Sequence, residues 1–302
     1  MSGDRLLRSA HGPDPGAPHG RADLHVHTMA SDGVCGVEEI LDWVVEHTML
    51  DVIGIADHER VDAAHAARAI ARELDLPVEV VIGEEVSTRG GHLRALFIEE
   101  PIPPLRSLRE SIALVHEQGG LAIPAHPLFL YPMCAQGWVL RDLLASPDPR
   151  VRPDGVEAFN PTTFGRPVHR RVVAFAAEQG LAVVGNSDAH QAADVGRGWT
   201  TFHGHTAEDV RAAILEHRSG WHGSFHGTAS QLPTFGRQLR KYGRDIRAEV
   251  HGRVLRDGTG RDHGYPGGAS RPPRFDAAAI PGTVRGRRED RDGRAEPSRA
   301  AR

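Results

Sequence analysis

Between Arg21 and about Phe225 two kinds of apolar pattern alternate along the chain. Short runs dense in Val, Ile, Leu and Ala read as strands over 22–28, 51–58, 78–87, 92–98, 121–127, 155–160, 181–190 and 199–202. Between them, apolar residues recur every three or four positions, which predicts helices near 37–48, 60–74, 105–118, 138–145, 166–179 and 206–217. The stretches beginning at Ser107 and Thr206 resemble capping signals, and Gly119-Gly120 and Gly180 stop helices just before strands. Strand–helix alternation with nearly continuous apolar strands implies a mostly parallel sheet, closed or nearly closed.

Outside that region the periodicity fades. Residues 1–20 are rich in Gly, Pro, His and Arg and read as a disordered lead-in; 226–302 read as a basic, largely disordered tail. Within the tail, 237–302 hold 17 basic and 9 acidic residues, net +8, which leaves the rest of the chain at net −12. Its arginines are taken as a solvated segment, with a nucleic-acid arm as the alternative.

Composition narrows the class of protein. Of 302 residues, 39% are hydrophobic and 25% charged, as in a soluble globular protein with unordered parts. No run of 18 apolar residues exists, which excludes a membrane-spanning helix, and Met1 to Gly20 lacks a stretch of signal-peptide length. Two cysteines, Cys35 and Cys134, exclude a disulfide scaffold and suit a reducing cytoplasm, the expected location. One lysine, Lys241, stands against 35 arginines and reads first as GC-rich codon bias. The histidine count, 19, is the informative oddity.

Those histidines have a phase. His27, His58, Glu85, His126, Asn160 and His190 fall at or near successive strand C-termini, separated by 31, 27, 41, 34 and 30 residues. About 30 residues is one strand–helix–strand repeat, so a chelating or polar side chain recurs at the barrel end where active sites are built. His25 and His27 are two apart on one strand and share a face, and Asp188 and His190 repeat that spacing. Asp32 follows in a Ser31-Asp32-Gly33 turn. Adjacent strand residues face opposite ways, so only one of Glu84 and Glu85 can look inward. His, Asp and Glu together suit Zn²⁺, Mn²⁺ or Fe²⁺ rather than Ca²⁺. Asn160 is read as lining the pocket, and Arg166, Arg170 and Arg197 follow strand ends where they could clamp phosphate. Phe129, Tyr131 and Trp138 are read as packing of a loop and the next helix, with stacking on a base as the alternative. His47, His65, His116, His169, His203, His205, His217, His222 and His226 are assigned surface or structural roles.

In order along the chain, DLHVHTMASDG at 23–33, ADH at 56–58, GEEVST at 83–88, GGLAIPAHP at 119–127 and NSDAH at 186–190 resemble the motifs of the PHP (polymerase and histidinol phosphatase) superfamily. VGRGWTTF at 195–202 is similar to the closing segment of its stand-alone members, and the resemblance spans about 21–222. It implies a distorted (β/α)7 barrel in 21–225 with two or three divalent ions per chain. The implied ligands are His25, His27, Asp32, His58, Glu85 (selected over Glu84), His92, His126, Asp188 and His190. Around His92 the sequence HLRALF departs from the short apolar-plus-Gly run of the family, and Asn186 stands where many members have Gly.

The function implied is that of a metal-dependent phosphoesterase. Metal-activated water would hydrolyse phosphate esters of nucleotides or the 5′ ends of short oligonucleotides, with His27, His126 and Asp188 indispensable to turnover. The SDG form of the first motif points to nucleotide- and oligonucleotide-directed members. Histidinol phosphatases and polymerase modules look more distant. Three alternatives stay open: a histidinol-phosphatase-like phosphomonoesterase, a metal amidohydrolase, and a catalytically silent metal-binding interaction module. The amidohydrolases commonly use a lysine ligand, and Lys241 lies beyond the barrel.

Overall fold

The computed structural model describes residues 7–8, 19–129, 133–162 and 165–226. Its strands are β1 (Leu7–Arg8), β2 (Gly20–Val26), β3 (Val52–Ile55), β4 (Glu79–Thr88), β5 (Gly91–Leu96), β6 (Leu121–Pro124), β7 (Gly155–Phe159), β8 (Ala182–Gly185), β9 (Gly198–Phe202) and β10 (Gly220–Gly223). Its helices are α1 (Val37–His47), α2 (Asp62–Glu73), α3 (Leu108–Glu117), α4 (Gly137–Leu144), α5 (Gly165–Gln179) and α6 (Ala207–Leu215). All eight expected strands and six expected helices are present. Ser107 and Thr206 close full capping boxes, each with the residue three positions on. Gly119 and Gly180 end α3 and α5 at φ of 75° and 64°, a conformation that glycine adopts without strain.

Eight strands form one sheet in the order β1-β10-β9-β2-β3-β4-β5-β6, and β7 and β8 pair separately. β7 lies beside β6, and β8 beside β9 and β10, so the separate pair spans the gap and the sheet curls on itself. The expectation of a mostly parallel sheet is corrected here. Only β2–β3, β3–β4 and β7–β8 run parallel; the other five pairings are antiparallel. β4 and β5 are joined by Arg89 and Gly90 alone, a two-residue turn that can reverse the chain but cannot carry a parallel crossover. The fold is therefore mixed α/β with a curled sheet, without the regular alternation of a (β/α)7 barrel. β1 falls in the expected lead-in. β10, with the sequence GWHG, has no alternation from which a strand could be read. Tyr131 and the tail from 227 onward lie outside the described residues.

Two apolar layers hold the sheet. Ile53, Ile55, Val80, Ile82, Leu93, Ala95 and Ala122 face outward and bury α1, α2 and α3. Val52, Val81, Leu96, Leu121, Ile123 and Val184 pack inward with Val210, Ala213 and Ile214 of α6. That helix touches β4, β8 and β9. On β2 the phase changes. Ala22 and Leu24 belong to the inner layer and Val26 to the outer, and the ladder with β3 is irregular between Asp23 and Val26. An extra residue at such a bulge turns the following side chains over, so His25 and His27 join the interior above the inner apolar layer.

Candidate metal centre

His25, Glu85 and His92 lie within β2, β4 and β5, but four other ladders stop short of the chelating residues that follow them or, in β2, of the second. β2 ends at Val26, β3 at Ile55, β6 at Pro124 and β8 at Gly185, each short of the expected strand. Beyond them the chain is held by isolated contacts. Val26 pairs with Ala189 and His58 with Glu85, and the His27 and Ala189 amides donate to Ala189 O and His25 O at 2.8 and 3.2 Å. Asp188 and His190 are therefore not on a strand, as their spacing suggested. Asp188 takes φ of 51° and His126 φ of 31°, and these turned residues bring their side chains back over the barrel mouth.

All nine expected ligands meet around Glu85. Its Oε2 lies 3.2 Å from His25 Nε2, 3.3 Å from His27 Nε2 and 3.4 Å from His58 Nε2. Its Oε1 lies 3.0 Å from both His92 Nδ1 and His126 Nε2. Asp188 Oδ1 approaches His25 and His27 at 3.5 and 3.4 Å. Asp32 bridges outward, 3.4 Å from His27 Nδ1 and 3.0 Å from His190 Nε2. Three groups can each converge on one point: His25, His27, Glu85 and Asp188; His27, Asp32 and His190; His58, Glu85 and His92. His126 touches Glu85 without belonging to any of the three. Glu84 faces the other way and accepts from the Ile102 amide at 2.7 Å; burial pushes its carboxyl up to about 8.

A supporting shell holds these groups in place. Asp57 accepts from the Thr28 amide (2.8 Å), Thr28 Oγ1 (2.7 Å) and Ser31 Oγ (2.5 Å), which fixes the turn that carries Asp32. Gly33 closes that turn. A Cβ there would lie 2.6 Å from His27 O and 2.7 Å from Thr28 O, so no larger residue fits. Asp23 accepts from the Ser187 and Gly196 amides and anchors the segment before Asp188. Asn160 Nδ2 donates to Asp188 Oδ2 at 3.1 Å.

The electrostatics follow from crowding. Burial alone would raise Glu85, but the imidazoles of His92, His25 and His58 outweigh it and hold the carboxyl well below its usual range. Burial disfavours charge on His25, yet Asp188, Glu85 and Glu157 lift it to about 9. His27 is likewise raised, with Asp32 the leading opponent of burial. His58 moves down, because burial is not overcome there. The carboxylates thus draw protons onto several imidazoles, and a divalent cation, which needs those imidazoles neutral, would take over their neutralising role.

The donor set fits such cations. His25 Nε2, both ring nitrogens of His27 and His92 Nδ1 are buried without a hydrogen-bond partner, although carboxylate oxygens lie within 3.0–3.5 Å. Ring nitrogens aimed at carboxylates but not bonded to them are arranged as ligands around common points. Access comes from one side. Asp32 and His58 are 36% and 25% exposed, whereas His25 and His27 are fully buried.

The expected phosphate clamps are not gathered here. Arg166 is exposed on α5 with its guanidinium 5.6 Å over the Phe225 ring, and Arg170 is exposed as well. Arg197 Nε donates to His226 Nδ1 at 3.1 Å. Phe129 packs with Cys134 and Val168, as read, but Trp138 is 74% exposed and packs no core. Sequence reasoning missed Asp23, Asp57, Arg94 and Glu157, all buried. A charged residue inside an apolar strand run, as in GVEAFN, was the available signal, since a buried charge requires a partner. Asn186, given no role from sequence, accepts from the Leu24 amide at 2.8 Å and donates to Glu157 at 2.9 Å.

A family model described as PHP-associated matches residues 167–219. An uncharacterised protein of Methanocaldococcus jannaschii is 36% identical over 151 residues, which cover 46% of this chain and 81% of that protein. A 5′-3′ exoribonuclease of Haemophilus influenzae is 29% identical over 105 residues, covering 33% of this chain and 37% of the enzyme. Among solved structures, a two-domain protein from Bacteroides vulgatus containing a predicted PHP-like metal-dependent phosphoesterase superposes with a TM-score of 0.58. Its identity is 19%, with 75% of this chain and 72% of that one covered, a likeness of fold.

Proposed function

This chain belongs to the PHP superfamily, and we propose that it is a metal-dependent phosphoesterase acting on nucleotides or the 5′ ends of short oligonucleotides. The observation that carries the reading is the convergence of eight chelating side chains into three groups around Glu85 and His27, with His126 against Glu85 as the ninth. Two or three divalent ions, of Mn²⁺, Zn²⁺ or Fe²⁺ type, would be held by these residues. Bound there, they would supply Lewis-acid activation of water and neutralisation of phosphoryl charge.

The chain's own residues set the geometry. His25, His27 and Glu85 form the buried floor. Asp32, His58 and His190 form the partly exposed rim, from which a phosphate ester would enter. Asn160 holds Asp188 and lines the inner wall. Turnover depends on His27, which faces two of the three groups, on Asp188 between His25 and His27, and on His126 at Glu85. Arg197 and Arg166 are assigned to the flank beside Asn160. His226, the partner of Arg197, donates its amide to Pro161 O, next to Asn160, and Arg166 opens the following helix.

The test is inorganic phosphate release with Mn²⁺ across a panel of substrates. Nucleoside 3′,5′-bisphosphates or 5′-phosphorylated oligonucleotides should be cleaved faster than histidinol phosphate. Equal or faster cleavage of histidinol phosphate would move the chain to the phosphomonoesterase reading. No release from any of them with ions bound would favour the silent module.

A further inference from the structure

Beneath the cluster lies a buried carboxylate that no motif includes. Glu157, in β7, receives four donors on its two oxygens. Oε1 takes His25 Nδ1 at 3.0 Å and Asn186 Nδ2 at 2.9 Å; Oε2 takes the His126 amide at 2.8 Å and Asn160 Nδ2 at 3.2 Å. Arg94, in β5 directly across the ladder from Glu85, is fully buried, with Nη1 3.6 Å from Glu157 Oε1 and 3.5 Å from Leu24 O. Arg94 falls within the HLRALF stretch, where the sequence departs from the family's apolar run.

We propose that Glu157, paired with Arg94, is the positioning residue of the metal centre: it fixes the tautomer of His25 and the backbone of His126. An ionised carboxylate only accepts hydrogen bonds. The proton of neutral His25 therefore sits on Nδ1, and the Nε2 lone pair is left facing Glu85 and Asp188. The same carboxylate pins the His126 amide at a residue with φ of 31°, and so aims that ring at Glu85. Four donors and the nearby Arg94 guanidinium surround the carboxyl, an environment that favours its ionised form. A buried carboxylate without a countercharge would be costly, and Arg94 offsets part of that cost. Outer partners of metal-ligating histidines typically set metal affinity by roughly 10- to 100-fold. The inference rests on the metal-centre reading above.

Glu157→Gln tests it. The amide replaces one acceptor with a donor, so either His25 and Asn186 or the His126 amide and Asn160 meet a like group. Equilibrium dialysis against Mn²⁺, with the melting temperature recorded in parallel, should show affinity reduced roughly 10- to 100-fold. Arg94→Met should lower the melting temperature by stranding the carboxylate. The double variant Arg94→Met/Glu157→Gln should recover much of that stability and none of the affinity, an outcome that a merely structural ion pair would not give. Folded Glu157→Gln or double variant binding Mn²⁺ within twofold of wild type overturns the role. Should the variants fail to fold, ¹⁵N spectra of zinc-loaded wild type decide. A proton on His25 Nδ1 with Nε2 ligating supports the role, and ligation through Nδ1 overturns it. A wild-type chain that binds neither Mn²⁺ nor Zn²⁺ removes the metal centre itself, a result distinct from loss of this role alone.

Discussion

Asp188 combines chemistry and conformation in one residue. Its φ of 51° lies in the left-handed region, which Asp and Asn tolerate better than other non-glycine residues. Asp188→Asn should therefore keep the turn, with a melting temperature within a few degrees of wild type, while turnover is lost with the carboxylate. Thermal melting and phosphate release on the same sample check both halves; near-normal turnover would remove Asp188 from the catalytic set. At this scale strand-end recurrence, the paired spacings and the turn at Asp32 made eight of the nine candidate residues legible, and the PHP resemblance supplied His92. The sequence did not disclose that Asp188 and His190 lie past the end of β8, since backbone conformation leaves no mark on side-chain spacing. Nor did it disclose Asp57, Arg94 and Glu157. Their importance comes mostly from neighbours 26 to 132 residues away, and a single charge in a strand does not say which neighbours those are.

Helices and strands were legible through periodicity and caps. What was not legible is how they pair. The two-residue Arg89–Gly90 turn is a hairpin signal that the strand–helix alternation masked, and it makes β5 antiparallel. One inter-element tie gives a pH-dependent test. His116 on α3 reaches Arg150 O at 2.7 Å and Asp154 Oδ2 at 2.9 Å, tying the helix to the segment before β7. The Asp154 bond, against a smaller opposing effect of burial, raises the pKa of His116 above its usual value. A raised histidine stabilises the fold fully below its unfolded pKa, and that contribution fades as pH rises through the folded value. His116→Leu should therefore cost about 1 kcal/mol at pH 5.5 and clearly less at pH 9, read from urea midpoints. An equal cost at both would show that the tie does not depend on charge.

Across the whole molecule, charge and access divide the labour. No helix among the described residues is long and apolar enough to cross a membrane. The chain outside 237–302 carries net −12 and the rest +8, so an oligonucleotide would meet long-range repulsion that a nucleotide held at the centre largely escapes. Deleting residues 237–302 is expected to leave KM for both substrate types unchanged at about 0.1 M and about 1 M salt, where screening lengths are about 10 and 3 Å. A rise in KM for oligonucleotides alone, present only at low salt, would instead identify that segment as a nucleic-acid arm.

If the cluster around Glu85 works as a metal-dependent phosphoesterase centre, as proposed, its turnover must follow ion occupancy, and one titration measures both. Wild-type chain is stripped with a chelator, then titrated with Mn²⁺ while phosphate release from a nucleoside 3′,5′-bisphosphate is followed. The stripped protein should release no phosphate, and release should rise and level off as two or three ions per chain bind. Release that is indifferent to the chelator, or saturation at a single ion, would contradict it.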